Sequence, residues 1–212
     1  MKFIHQNFAV SGFTLIELDQ VIIDYLWKII HKGTLAKKDH KPNIVANISE
    51  SYEISDENDF FMKNVCIPLI KAYQKTNKGL DPVNQNTLPK PNTRFVLDGL
   101  WVNYQYQHEM NPYHHHSGVY SFAIWMKIPY ESNKLSDLPQ FKGTKKEHIK
   151  AGAFEFEFIN TIGDTRNSRI PLSSSSEGKM VFFPATMRHC VYPFYGTDEA
   201  RISVAGNIWY GD

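Results

Sequence analysis

Cysteine is scarce in this chain: Cys66 and Cys190 are the only two among 212 residues. A disulfide framework is thereby excluded, and the fold has to be held by its own core. A reducing, cytoplasmic setting is the matching expectation. An excess of one charge is missing too, since 23 basic and 22 acidic residues are interspersed and leave a net charge of +1. Without a basic stripe there is no electrostatic footprint for nucleic acid or for an anionic membrane surface, and neither is expected as a partner. No apolar run approaches the roughly 20 residues that a membrane span requires, and the pattern of a secretory signal is not found. The length does suffice for one substantial core. We expect a single domain over residues 1–212, with a helical cover over about 1–80 and a barrel core over about 95–210.

GFTLIEL, at Gly12 to Leu18, is similar to the processing signature of type IV pilins, but Asp19, Gln20, Asp24 and Lys28 interrupt the long apolar helix that should follow. Phe8 to Leu18 reads instead as a short strand. Asp19 then looks like the N-cap of a helix that carries Val21, Ile22, Tyr25, Leu26, Ile29 and Ile30 at helical spacing, with Gly33 as its stop. A second helix begins near Ser55 or Asp56, buries Phe60, Phe61, Leu69, Ile70 and Tyr73, and kinks at Pro68. Both helices read as the outer cover of a sheet. Lys78 to Thr93, with Pro82, Pro89 and Pro91, reads as a loop or lid.

From Phe95 the character changes. FVLDGLWVNYQYQ, SGVYSFAIWMKIP, AFEFEFI, KMVFFP and RISVAGNIWY are short runs rich in β-branched and aromatic residues, separated by turn-forming clusters, which is the pattern of a β-sandwich or barrel. Phe154, Phe156 and Phe158 alternate with Glu155 and Glu157, so the glutamates read as a solvated strand face. Glu131 to Lys150 and Asn160 to Lys179 read as loops.

The densest chemistry lies in NPYHHHSG, Asn111 to Gly118. Residues two apart on an extended backbone share a face, so His114 and His116 aim two nitrogens at one point while His115 points away. A third imidazole, His189, stands in VFFPATMRHCVYP. The run from Gly178 through Pro184 to His189 is similar to the second metal motif of cupins, with Thr186 in place of that motif's usual glycine. The first cupin motif is only half present, because no glutamate follows His116 at the expected interval. Twelve residues beyond His189 comes Arg201, and Ser203 shares its strand face. A guanidinium fork fits a carboxylate and a neighbouring hydroxyl can donate to the same group, so this pair makes a carboxylate anchor.

In this order the residues resemble the iron(II)- and 2-oxoglutarate-dependent oxygenases, particularly small prolyl-hydroxylase-like members, some of them encoded by bacteriophages. Tyr104 in WVNYQYQ, His114 and His116 in H-x-H, His189 in FFPATMRHCVYP, and Arg201 and Ser203 in RISVAGN carry the resemblance over roughly Phe95 to Tyr210. It implies a double-stranded β-helix, a jelly-roll barrel, with Fe(II) held by His114, His116 and His189. The same resemblance gives Arg201, Ser203 and Tyr104 to the far carboxylate of 2-oxoglutarate, with O2 as the third reactant, and it puts a phage-encoded member in its host's cytoplasm. The reaction implied is hydroxylation of an unactivated C–H bond coupled to decarboxylation of 2-oxoglutarate to succinate. Trp125, Asn207 and Trp209 are candidates for lining the substrate pocket. The departure is His116, since most of the family has a carboxylate there and the usual facial triad is two histidines and one carboxylate.

Two alternatives stand beside it: a three-histidine cupin-type dioxygenase without co-substrate, and a non-enzymatic jelly roll with structural zinc. Arg201 speaks against the first. The second needs a fourth ligand, and Cys190 alternates away from His189 while His108 is badly placed. Protein proline, a free amino acid and a small metabolite all remain open as substrates.

Overall fold

The computed structural model of the chain describes residues 12–77 and 94–211. Its strands are β1 (Thr14–Glu17), β2 (Glu50–Glu53), β3 (Phe95–Gln105), β4 (Asn111–His114), β5 (Tyr120–Lys127), β6 (Phe154–Ile159), β7 (Thr165–Ile170), β8 (Lys179–Pro184), β9 (Arg188–Val191) and β10 (Arg201–Tyr210). They form two antiparallel sheets, ordered β1-β8-β5-β10-β3-β2 and β4-β9-β6-β7. From β3 onward the chain alternates between the sheets, with β6 and β7 adjacent as a hairpin. That path is a double-stranded β-helix, and the aromatic and β-branched runs of the sequence supply its strands.

The two-residue period of a strand divides the major sheet's side chains between two cores. Phe122, Ile124 and Met126 of β5 pack outward with Leu26, Ile30, Phe61 and Ile70 of the helical cover. Trp125 of β5 and Val181 and Phe183 of β8 turn inward and meet Phe154 and Phe156 of β6 from the minor sheet. The cover consists of α1 (Gln20–Ala36) and α2 (Ile67–Thr76), with a short α3 (Ser132–Leu135) in the loop after β5.

Several local expectations shift. Asp19 does stand at the N-cap of α1, through its backbone carbonyl and without a side-chain cap bond. Gly33 is not the stop: α1 runs on to Ala36 and closes on Lys37 in the left-handed conformation. Gly33 is buried mid-helix because β2 crosses it, and a Cβ there would lie 2.8 Å from the Glu53 carbonyl oxygen and closer still to Ile54. Asp56 does begin the second helical stretch, its carboxylate accepting the Phe61 and Met62 N–H groups at 2.8 and 2.9 Å. Pro68 lies in the first turn of α2, and the turn before it, Met62–Cys66, widens to a π-helix. A proline has no N–H to donate back along the helix, and a widened turn absorbs the defect. Asn160 to Lys179 is not a loop throughout, since Thr165–Ile170 is β7, paired along its length with β6. Its residues are polar because it is an edge strand with three exposed positions, which hides it from a search for apolar alternation. The lid reading of Lys78 to Thr93 falls outside the described residues, as does the part of the first strand before Gly12.

Gly33→Ala separates propensity from packing. Alanine in a helix interior ordinarily gains up to about 1 kcal/mol over glycine. Here overpacking against Ile54 and the Glu53 carbonyl should reverse the sign, for a net loss of about 1–3 kcal/mol. Urea denaturation with an unchanged slope and a lowered midpoint is the expected result.

Candidate metal centre

His114 closes β4 and His189 lies on β9, and the two are direct cross-strand partners. His116 sits two residues past the end of β4, tethered by its backbone N–H to the Ala185 carbonyl at 2.8 Å. H-x-H is therefore not contained in one strand, yet the rings converge as the extended spacing requires. Ligand nitrogens of His114, His116 and His189 all lie within 4.8 Å of one another. His115 is exposed and takes no part in the cluster.

Hydrogen bonding fixes which nitrogens face inward. His114 Nδ1 lies 2.7 Å from the Pro112 carbonyl and His189 Nδ1 3.0 Å from the Met187 carbonyl. A carbonyl only accepts, so each Nδ1 carries the proton and each Nε2 presents a bare lone pair. His116 Nε2 approaches His189 Nε2 to 3.2 Å. One proton or one ion between the two nitrogens satisfies that separation, and two nitrogens bound to one ion at about 2.1 Å each sit about 3 Å apart. The donor set thus fits a divalent transition metal.

The rings are held neutral by their surroundings. Burial lowers all three pKa values, with His116 pushed down to about 3 and His189 well below the ordinary 6.5. Neutral imidazole is the form that ligates, so the pocket prepares the ligands. Packing keeps them in place: His189 stacks on Phe154 at 5.2 Å and on His116 at 5.0 Å, and Trp101 stacks on the other side of the site against His116 at 5.9 Å.

The three histidines open into a cavity of about 380 Å³, which Arg201 and Ser203 also line. Arg201 is only 2 % exposed. Its Nη1 donates to the Tyr130 hydroxyl at 2.6 Å and the Gly152 carbonyl at 3.2 Å, and its Nη2 to Gln105 Oε1 and the Tyr192 carbonyl. Every one of these acceptors is neutral. Among the described residues no carboxylate pairs with this guanidinium, and Nε takes no protein acceptor. A buried cation without an anion is costly, and an anion entering this cavity would offset that cost.

Tyr104 does not join this group. It faces the helical cover, where its hydroxyl lies 2.8 Å from Thr34 Oγ1. Strand alternation on β3 instead turns Trp101, Asn103 and Gln105 into the cavity. Trp125 and Asn207 do line the cavity as expected, whereas Trp209 is 43 % exposed and does not. Gln105 and Tyr130 were missed because only the register of β3 on β10 and the path of the loop after β5 bring them to Arg201. Cys190 points to the opposite face, as its parity requires.

A jelly roll with three convergent imidazoles and an unpaired buried arginine in one cavity defines a non-haem metal enzyme of the oxygenase type. The profile of the 2OG-Fe(II) oxygenase family matches residues 99–207, more than half of the chain, and the chain belongs to that family. It is an oxidoreductase whose cofactor and co-substrates are Fe(II), 2-oxoglutarate and O2. Among solved structures, a 2OG-Fe(II) oxygenase family oxidoreductase from Burkholderia pseudomallei is similar over 93% of this chain and 84% of that one, at 8% identity and a TM-score of 0.50. A prolyl-4-hydroxylase from Pseudomonas putida matches over 94% and 92% at 12% identity, TM-score 0.49. The non-haem alpha-ketoglutarate-dependent epimerase SnoN from nogalamycin biosynthesis matches over 95% and 79% at 14% identity, TM-score 0.48. The first of these, at a TM-score of 0.50, speaks to the fold alone. No curated protein matches the chain significantly.

Behind the histidines, on the outer face of the minor sheet, the solvated-face expectation fails at Glu155. Glu157 is partly wet and pairs with Arg188, but the Glu155 side chain is 1 % exposed. Lys150 Nζ and the Tyr113 hydroxyl each lie 2.7 Å from it, the Tyr192 hydroxyl 2.9 Å and Arg169 Nε 3.2 Å. Burial pushes this carboxyl up, but Lys150, Tyr113, Tyr192 and Arg169 together hold it down at about 2. Because the folded value lies below the ordinary 4.5, the stabilisation is complete above about pH 5 and is lost as pH falls towards 2. Glu155→Ala strips the acceptor from two cations and two hydroxyls and should cost about 3 kcal/mol. Glu155→Gln should cost less and flatten the acid limb of stability between about pH 5 and 2, as read by denaturant titration across that range.

Proposed function

We propose that His114, His116 and His189 hold the Fe(II) of this oxygenase and that Arg201 and Ser203 anchor the far carboxylate of 2-oxoglutarate. The observation that carries this reading is the shared cavity, lined by three neutral imidazoles and by a buried, anion-free guanidinium. Arg201 supplies positive charge, with Nε as the donor left for a ligand, and Tyr130 and Gln105 fix its plane. The half-buried Ser203 lies two residues along β10 and adds a neutral donor. Bound together, iron, 2-oxoglutarate and O2 supply the oxidising power that hydroxylates a C–H bond as the co-substrate leaves as succinate and carbon dioxide.

The segment from His40 to Ile48 also borders the cavity, with Asp98 and Trp101 beside it. A volume of about 380 Å³ is at the small end for a ligand site, and the co-substrate takes part of it. The substrate therefore presents a single small group, in the manner of a prolyl-hydroxylase-like reaction on one side chain or of a small metabolite. Two buried free thiols, Cys66 and Cys190, suit the reducing cytoplasm that also keeps iron ferrous. No described helix is long and apolar enough to cross a membrane.

Anaerobic titration of the Fe(II) protein with 2-oxoglutarate, following the metal-to-ligand charge-transfer band, tests the assignment. Each of His114, His116 and His189 changed to alanine should lose iron, and His115→Ala should keep it. Arg201→Ala should retain iron and bind 2-oxoglutarate at least tenfold more weakly, since a charge-assisted hydrogen bond contributes about 1.5–3 kcal/mol and about 1.4 kcal/mol is a factor of ten. Ser203→Ala should cost less. Equal co-substrate affinity in iron-loaded Arg201→Ala would sink the anchor.

A further inference from the structure

Apart from its histidines, the cavity is bordered by two charged side chains among the described residues, Arg201 and Asp98. The guanidinium is the proposed anchor of the co-substrate. Asp98 has no such task, because a carboxylate repels a dianion, and it makes no hydrogen bond or ion pair with the rest of the described chain. A free carboxylate on the border of the reaction chamber is left for a different molecule.

An irregularity in the sheet puts Asp98 there. On β10, Gly206 pairs with Leu100 and Ile208 with Leu97, so β3 carries two residues, Asp98 and Gly99, opposite Asn207 alone. The extra residue resets the alternation, and Leu97 and Leu100 both pack on the helical side. Gly99 has φ +122°, a conformation that suits glycine, and bulges of this kind re-aim side chains beside active sites. Asp98 stands exposed at the inserted position.

A second cavity of about 700 Å³ adjoins the first, and the two share His40, Asp98 and Gly99 as a common border. The other carboxylates of the second cavity are engaged: Glu53 with Lys38, Asp59 with Lys63 at 3.4 Å, and Asp56 with helix N–H groups. Arg94 borders the second cavity alone and leaves Asp98 unpaired. His40, on the common border, is 9 % exposed, and its Nδ1 is buried without a hydrogen-bond partner, with Glu53 Oε1 3.8 Å away. Burial lowers the pKa of this imidazole, so the ring is neutral and can accept as well as donate. Where the cavities meet, the protein thus offers one unpaired negative charge and one unpartnered ring nitrogen.

We propose that the substrate of this oxygenase carries an ammonium or guanidinium group and that Asp98 holds it on the common border, with the group to be oxidised in the histidine cavity. The second cavity gives the remainder of the molecule room. The proposal rests on the reading of the three histidines as the iron site and of Arg201 as the co-substrate anchor. It divides the charges of the chamber by sign: the anionic co-substrate goes to Arg201 and the metal, and the cationic substrate goes to Asp98.

The test is calorimetric titration of the anaerobic Fe(II)–2-oxoglutarate protein with matched probes that differ in charge. Nα-acetyl-lysine amide is set against Nα-acetyl-norleucine amide, and Nα-acetyl-arginine amide against Nα-acetyl-citrulline amide, to present a basic side chain. Norleucine amide against its acetylated form presents an α-ammonium, so the pairs separate a peptide side chain from a free amino compound as the source of the cation. The cationic member of at least one pair should bind about tenfold more tightly, as expected of a charge-assisted bond partly open to water, and rising salt should shrink the difference. Asp98→Asn should erase the preference while binding Fe(II) and 2-oxoglutarate no more weakly, and Asp98→Glu should keep it. No preference for the cation in any pair, or a preference that survives in Asp98→Asn, would overturn the proposal and leave the iron and co-substrate sites standing. Failure of the unaltered protein to bind Fe(II) or 2-oxoglutarate would overturn the reading beneath it as well.

Discussion

The antiparallel register of β4 on β9 is the constraint on which the metal centre depends. It makes His114 and His189 direct partners, and a slip of one residue would turn Cys190 inward and His189 out. Nothing in a four-residue strand protects such a register by itself. The protection comes from the reverse side, where Tyr113 and Tyr192 converge on buried Glu155, while Phe154 and Phe156 on the inner face pack against the His189 ring. One carboxylate that touches no ligand therefore ties together the strands that carry two of the three imidazoles. His116 arrives from outside this sheet, held by the Ala185 carbonyl and by the parallel face of His189.

The electrostatics of the cavity follow from the same economy. The proposed ligand set is neutral, so a divalent ion would keep its full formal charge until an anion arrives, and Arg201 adds a further positive charge in the same cavity. A dianion that reaches both centres removes two costs at once: the uncompensated metal charge and the desolvated guanidinium. The usual carboxylate ligand would have offset part of the first cost in advance. On the proposed reading a neutral triad would leave that task to the co-substrate, and affinity for 2-oxoglutarate would then depend on metal occupancy.

Much of this was legible in the sequence because long, buried strands write their environment into their composition. β3, β5, β6, β8 and β10 announced themselves as aromatic and β-branched runs, and H-x-H with His189 marked the residues that converge as a histidine cluster, in a cavity that Arg201 and Ser203 also line. Where the sequence misled, the deciding contact lay elsewhere in the chain. Gly33 reads as a helix stop until β2 is known to press on it, and β7 reads as a loop because an exposed edge strand needs no apolar face. Tyr104 stood at a plausible distance from His114, but the alternation of β3 turns it to the helices and gives the cavity to Asn103 and Gln105. Glu155 looked solvated, since nothing in AFEFEFI shows that Lys150 and Arg169 fold over it.

One border of the cavity has a consequence of its own. The segment from His40 to Ile48 is fastened at both ends, by the His40 N–H to the Ser51 carbonyl and by paired backbone bonds between Asn47 and Met110, and His40 stacks on Trp101. This strap precedes residue 99, where the family match begins. One border of the cavity is thus encoded apart from the stretch that the family profile matches. A change confined to these nine residues would reshape one border of the cavity while leaving His114, His116 and His189 as they stand.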